Sequence, residues 1–272
     1  MGNLPSAKGM LMRSWPLLSL ALLLAPVAGC GGSSSGTTPV NPPQTYPTLS
    51  GNWTVSATSN LTGATYLLGG SITDSGATVT ATLQALPDES GCLPTGQPIP
   101  FTGSVTTSGA ISLTSAVVAS QTISISGSTL GSGLITGTYR IAGGCAAGDS
   151  GTIEALVEPS FTGTYTGTMQ PTSGTSVDVS ATIVQAGPNA DGEFGVTGTV
   201  EFSGSSCFTS GTITSSTVLG EYIQATMSTD KGGSVQITAL GIAVPQVTEI
   251  EGAYQVTAGP CAGASGTVNV TS

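Results

Sequence analysis

From Leu49 to the C-terminus, hydrophobic and polar positions alternate with a period of two. Ala77 to Leu83, Thr122 to Ser126, Val177 to Val184 and Ser234 to Thr238 each set aliphatic side chains on one face and hydroxyls on the other. That is the signature of a half-buried strand. Turn-forming clusters punctuate the pattern at Asp74-Ser75-Gly76, Thr107-Ser108-Gly109, Gly187-Pro188-Asn189 and Asp230-Lys231-Gly232-Gly233. Beyond the N-terminal region, Ala- and Leu-rich windows of helical length without Gly or β-branched residues are missing. The pattern predicts an all-β body.

The body repeats. Ile135-Thr136-Gly137-Thr138-Tyr139 returns 115 residues later as Ile250-Glu251-Gly252-Ala253-Tyr254, and Ser150-Gly151-Thr152 returns at the same offset as Ser265-Gly266-Thr267. Val79-Thr80-Ala81-Thr82-Leu83 matches Val196 to Val200, and Gly51-Asn52-Trp53 matches Gly163-Thr164-Tyr165. Phe101-Thr102 aligns with Phe208-Thr209 after a longer loop in the first copy. Two homologous domains are expected, at 49–159 and 160–272, meeting near Glu158-Pro159-Ser160. So short a connection predicts that they touch.

Each copy reads as about eight strands. In the second copy they begin near Phe161, Ser176, Phe194, Phe208, Leu219, Ser234, Glu249 and Ser265. Short sequential connections favour an antiparallel up-and-down meander. Eight such strands close into a barrel without exposed edges; a two-sheet β-sandwich is the alternative. Gly51-Asn52-Trp53, opening the first strand, resembles the Gly-x-Trp of lipocalins, and the strand count is similar to that of lipocalins and avidins. The resemblance implies barrel architecture. Lipocalins usually carry an Arg on the last strand over that Trp; here Arg140 falls on the seventh strand, with Gln255 in its place in the second copy.

The N-terminus follows a different pattern. Lys8 and Arg13 precede an apolar run from Trp15 to Ala28, and Val27-Ala28-Gly29-Cys30 closes it. A basic start, an apolar middle and small residues before a cut make a secretory signal peptide over residues 1–29. The run is shorter than the ~20 residues of a spanning helix. The segment resembles the lipobox of bacterial lipoproteins. That implies cleavage after Gly29, a diacylglyceryl group on the Cys30 thiol, and attachment to the membrane through that lipid. Gly31 rather than Asp after the cysteine implies, by the sorting rule of Gram-negative lipoproteins, the outer membrane, on its periplasmic face or at the cell surface. Met1-Gly2-Asn3-Leu4-Pro5-Ser6 also fits a myristoylation pattern, but the secretory reading accounts for more residues. Residues 30–48 then read as a lipidated cysteine and a flexible Gly/Ser/Thr/Pro linker.

Charge narrows the function. After Cys30 only Arg140 and Lys231 stand against fourteen acids, a formal charge of −12. Nucleic-acid binding, which needs clustered Lys and Arg, is excluded in practice. The chain has no histidine, so Ser-His-Asp and Cys-His catalysis are impossible within it. A Ser-Lys dyad has only Lys231 to use. A paired-carboxylate hydrolase remains arithmetically open, but the acids are scattered.

Setting Cys30 aside leaves four cysteines, an even number suited to an oxidising compartment. The intervals from Cys92 to Cys145 (53) and from Cys207 to Cys261 (54) favour one disulfide per copy among the three pairings. Zinc would need a closer spacing than any pair here has, and no metal or cofactor is expected. Asn189-Ala190-Asp191-Gly192-Glu193 clusters oxygen ligands but reads as a hairpin turn rather than a calcium loop. The pairs Thr80/Thr82, Thr136/Thr138, Thr197/Thr199 and Thr212/Thr214 read as hydrated strand faces rather than an ice-binding array.

The expectation is a non-enzymatic, lipid-anchored envelope protein with a structural or interaction role, possessing an envelope protein partner. The alternative is a carrier of a small apolar ligand: bulky residues are few, so a barrel of eight strands could be incompletely filled.

Overall fold

A computed structural model describes residues 44–86, 92–129, 131, 133–244 and 247–272. The signal segment, the cleavage position Gly29, the lipidation site Cys30 and the linker as far as residue 43 lie outside the described residues.

The first barrel comprises β1 (Gly51–Ser59), β2 (Thr65–Ser75), β3 (Thr78–Ala85), β4 (Ile99–Val105), β5 (Ala110–Ser115), β6 (Gln121–Thr129), β7 (Leu134–Gly143) and β8 (Ser150–Glu158). The second comprises β9 (Gly163–Pro171), β10 (Val177–Pro188), β11 (Phe194–Ser203), β12 (Ser210–Leu219), β13 (Tyr222–Thr229), β14 (Ser234–Val244), β15 (Val247–Ala258) and β16 (Ser265–Thr271). Within each barrel every strand pairs antiparallel with the next, and each barrel closes, β8 on β1 and β16 on β9. The closed up-and-down barrel therefore holds and the sandwich does not. All regular structure among the described residues is strand.

The registers show that the copies are equivalent. Ile135 faces Ala155 across β7 and β8, and Ile250 faces Val270 across β15 and β16. Thr54 faces Leu156 at the first closure, and Thr166 faces Thr271 at the second. One sequence match is corrected. Thr82 faces Pro100, whereas its counterpart Thr199 faces Thr212, so Phe101 corresponds to Ile213 and not to Phe208. Phe208 lies ahead of β12 and packs edge-to-face on Phe202, with ring centroids 4.7 Å apart.

Inward side chains fill two separate cores. The base of the first barrel, where β1 begins, is closed by buried Leu49 and Trp53. The indole N–H of Trp53 donates to the Leu49 carbonyl at 2.7 Å, and Asp74 Oδ1 accepts from the Leu49 amide at 2.8 Å. Phe161 and Tyr165 occupy the corresponding places in the second barrel, each about 1% exposed.

The barrels meet end to side. The outward positions of β1, β2 and β3 should be wet, yet Asn52, Gly69, Ser71 and Gln84 are buried. What covers them is the base of the second barrel. Asn52 Nδ2 donates to the Gly220 carbonyl at 2.7 Å, and the Gly220 amide donates to Asn52 Oδ1 at 2.8 Å. The Glu221 amide donates to Thr54 Oγ1 at 2.8 Å. Gln84 Nε2 donates to the Asp191 carbonyl at 3.0 Å and to Glu193 Oε1 at 3.1 Å. Two glycines permit this approach. A Cβ on Gly69 would run into the Leu219 backbone, and Gly220 sits at φ 59° with Thr54 against it. Residues from Gln44 to Ser272 form one compact unit.

Candidate functional site

The base of the second barrel is sealed against the wall of the first, and the base of the first is closed by Leu49 and Trp53, so access to either interior is through the opposite, disulfide-bearing ends. Cys92 bonds Cys145 and Cys207 bonds Cys261, one bridge per barrel, with Cα atoms 5.7 and 5.6 Å apart. The even cysteine count thus resolves as the interval predicted, and the bridges indicate an oxidising, non-cytoplasmic compartment.

The first barrel's end is plugged. Leu86 and Leu93, on the connection from β3 to β4, are buried. Buried Gln121 clamps this cover to the disulfide: its Nε2 donates to the Cys92 carbonyl at 2.6 Å, and its Oε1 accepts from the Ala146 amide at 3.3 Å. Beneath lies a carboxylate, Asp149, 4% exposed. Its Oδ1 accepts from Ser59 Oγ at 2.7 Å and from the Ser150 amide at 2.8 Å. Its Oδ2 accepts from Tyr66 Oη at 2.8 Å and Tyr139 Oη at 3.0 Å. Burial pushes the Asp149 pKa up, but the hydrogen bonds from Ser59, Tyr66, Tyr139 and Ser150 outweigh it and hold the carboxyl below its ordinary value. Burial and the adjacent carboxylate push the Tyr139 phenol far up. An acid so saturated with donors serves as a structural knot, not as a general base. The void left in this core is about 10 Å³, too small for more than one water.

The second barrel is open where the first is shut. By register, Ser59 corresponds to Pro171, Tyr66 to Val177, Asp149 to Ala264, and Tyr139 to Tyr254. The knot has lost its carboxylate, its serine and one tyrosine. The connection from Ser203 to Ser210 is also shorter than that from Ala85 to Ile99. The result is a mouth of about 290 Å³ between Pro171, Val177, Phe208, Tyr254, Ala264 and the Cys207–Cys261 bridge. Below it lies a wholly apolar cavity of about 70 Å³, walled by residues such as Val179, Val200, Ile223 and Met227. Met169 lines both spaces.

The other sequence candidates fall elsewhere. Asn189-Glu193 is a hairpin turn: Asn189 Oδ1 accepts from the Asp191 and Glu193 amides at 2.9 and 3.0 Å, and the turn docks on Gln84. No group of acids and cysteines among the described residues is arranged to hold a metal. The paired threonines lie on the outer walls of two curved barrels. Arg140 is exposed on β7, beside a broad hydroxyl-lined hollow with Ser112, Thr114, Ser124 and Thr138. It does not cover Trp53 as the lipocalin pattern would have it.

Sequence reasoning missed both the Asp149 knot and its loss in the second copy. The signal was within reach, since Asp149 and Ala264 immediately precede the matched Ser-Gly-Thr triplets. No protein-family profile matches the chain, and no curated protein is significantly similar to it.

Proposed function

We propose that this is a lipid-anchored lipoprotein of the cell envelope, at the outer membrane, with a non-enzymatic structural or interaction role. The signal-peptide pattern ending in Gly29-Cys30 supports the anchor, and the two disulfides fit an exported body. The observation that carries the role is the end-to-side seam. Two barrels joined by reciprocal hydrogen bonds at Asn52 and Gly220 form one compact body, in which Asp149, the one buried acid among the described residues, is tied up in structural hydrogen bonds. The test is Cys30→Ser, followed by acyl labelling and membrane fractionation. Loss of the acyl mass and of lipid-mediated membrane association is expected. An unchanged mass with unchanged fractionation would sink the lipoprotein reading.

A second reading, carriage of a small apolar ligand, has its own support in the open mouth and apolar cavity of the second barrel. Native mass spectrometry of the exported body from Gly31 onward, before and after denaturation, decides it. A reproducible extra mass lost on denaturation favours the carrier. A bare mass returns the protein to its structural role.

A further inference from the structure

The first barrel is a built-in reference for the second: same topology, same register, opposite treatment of one end. Where the first has Ser59, Tyr66 and Asp149, the second has Pro171, Val177 and Ala264. Each of these three replacements removes a hydrogen-bonding group. A mouth opened by chance and left to water would keep polar groups to hold that water. At these three positions the second barrel has apolar groups instead, with hydroxyls kept at the rim and at Tyr254, and its covering loop is shorter as well.

Resting on the carrier reading, we infer that the mouth of the second barrel binds one uncharged lipophile of roughly a dozen non-hydrogen atoms, its apolar body inside and a hydroxyl-class head at the rim. Size follows from volume. An apolar cavity of about 150 Å³ holds one benzene. The mouth at about 290 Å³ and the cavity at about 70 Å³ hold roughly twice that ring once Met169 shifts between them. An unbranched thioether side chain is suited to such a shift.

The absence of charge follows from the lining. Among the described residues, no acidic or basic side chain borders the mouth or the cavity. A charged head drawn into it would be buried without a partner, at a large cost. The nearest ammonium, Lys231, is turned to the Ser206 carbonyl at 3.4 Å and sits next to Asp230. An anion would in addition approach a body of net charge −12. The rim does offer hydroxyls, on Ser173, Thr175 and Ser206, which can donate to or accept from an alcohol.

The test uses the exported body from Gly31, which contains the whole compact unit from Gln44. It is loaded with the neutral fluorophore N-phenyl-1-naphthylamine and titrated with decan-1-ol, decanoate and decyltrimethylammonium. The expected result is one-to-one displacement by decan-1-ol, with both ions at least tenfold weaker. The double variant Val177→Tyr/Ala264→Asp, which grafts the first barrel's knot, should lose at least tenfold in affinity for decan-1-ol. Should that variant fail to fold, Ala264→Phe fills the mouth by volume alone and should do the same. If decanoate or the ammonium binds as tightly as the alcohol, the ligand class is wrong while the carrier reading stands. If no decyl compound binds, both fall. If a folded mouth variant binds decan-1-ol like the unaltered protein, the site is not this mouth.

Discussion

Asn52 of the first barrel and Gly220 of the second exchange two hydrogen bonds, at 2.7 and 2.8 Å, across the seam between the barrels. A side-chain amide is thereby paired with a backbone amide as one strand pairs with another. Asn52 points away from its own barrel yet is 3% exposed, so its polar atoms have no water to fall back on. Asn52→Leu keeps the bulk, removes both bonds and strands a buried backbone N–H and C=O. The cost should be about 2–4 kcal/mol. Urea denaturation should show an earlier midpoint. An unchanged midpoint would mean that the seam contributes nothing to the stability of the pair.

The Asp149 knot should respond to both mutation and acid. Asp149→Ala removes the shared acceptor of three hydroxyls and an amide from a buried site, and a loss of about 3 kcal/mol is expected. The pH dependence has a definite sign. The folded carboxyl is held below its ordinary value of 3.8, so its stabilising effect is complete above that value and is lost as pH falls through the folded pKa. Asp149→Asn removes this titration. Thermal melting between pH 5 and pH 2 should therefore fall less steeply for the Asn variant than for the unaltered protein. Parallel curves would deny the knot its electrostatic part.

Much of this architecture was legible in the chain. Period-two alternation marks the strands, and the eight expected starts in the second copy fall within three residues of the observed ones, Phe161 against Gly163 and Leu219 against Tyr222 being among the larger shifts. The spacing of four cysteines carries both disulfides. The short connection at Glu158-Pro159-Ser160 foretold that the barrels touch, as they do, but the residues of the seam were not legible. Asn52 and Gln84 occupy outward strand positions, where a polar residue is what a wet surface requires. Their burial depends on where a second barrel docks, which periodicity does not encode. Nor was the identity of Phe208. A Phe-Thr dipeptide recurs by sequence, but the shorter second-copy loop places it on the rim of the mouth instead of in the barrel wall.

The seam carries two carboxylates whose titration runs opposite to that of Asp149. Thr54 Oγ1 accepts from the Glu221 amide at 2.8 Å and donates to Glu158 Oε1 at 2.7 Å, bringing two half-buried acids to one threonine. Burial raises both pKa values; the Thr54 hydrogen bond lowers that of Glu158, and the nearby Glu221 charge raises it further. A raised carboxylate favours the folded state below its unfolded pKa and loses that advantage as pH rises through the folded one. Glu158→Gln keeps an acceptor for Thr54 and drops the charge. It should raise the melting temperature at pH 7 and leave it unchanged below the ordinary value of 4.5. A lower melting temperature at pH 7 would show that the ionised form is the one the seam prefers.

The two disulfides close loops of nearly equal length, 53 and 54 residues, and in the chain-entropy account each contributes about 4 kcal/mol. Their local surroundings separate them. In the first barrel, Gln121 and the Asp149 knot hold the same end independently of the bridge. In the second, the Cys207–Cys261 bridge itself borders the mouth, beside Phe208 and Ala264, and the knot is missing. Cys92→Ser/Cys145→Ser should therefore lower the denaturation midpoint while leaving the second barrel's mouth intact. Cys207→Ser/Cys261→Ser should cost a similar amount of stability and also loosen Phe208, so that N-phenyl-1-naphthylamine binding weakens at least tenfold. Peptide mapping of the unaltered protein under non-reducing conditions provides the control, with Cys92 linked to Cys145 and Cys207 to Cys261. Equal loss of probe binding in both pairs of variants would mean that the mouth depends on the whole body rather than on its own bridge.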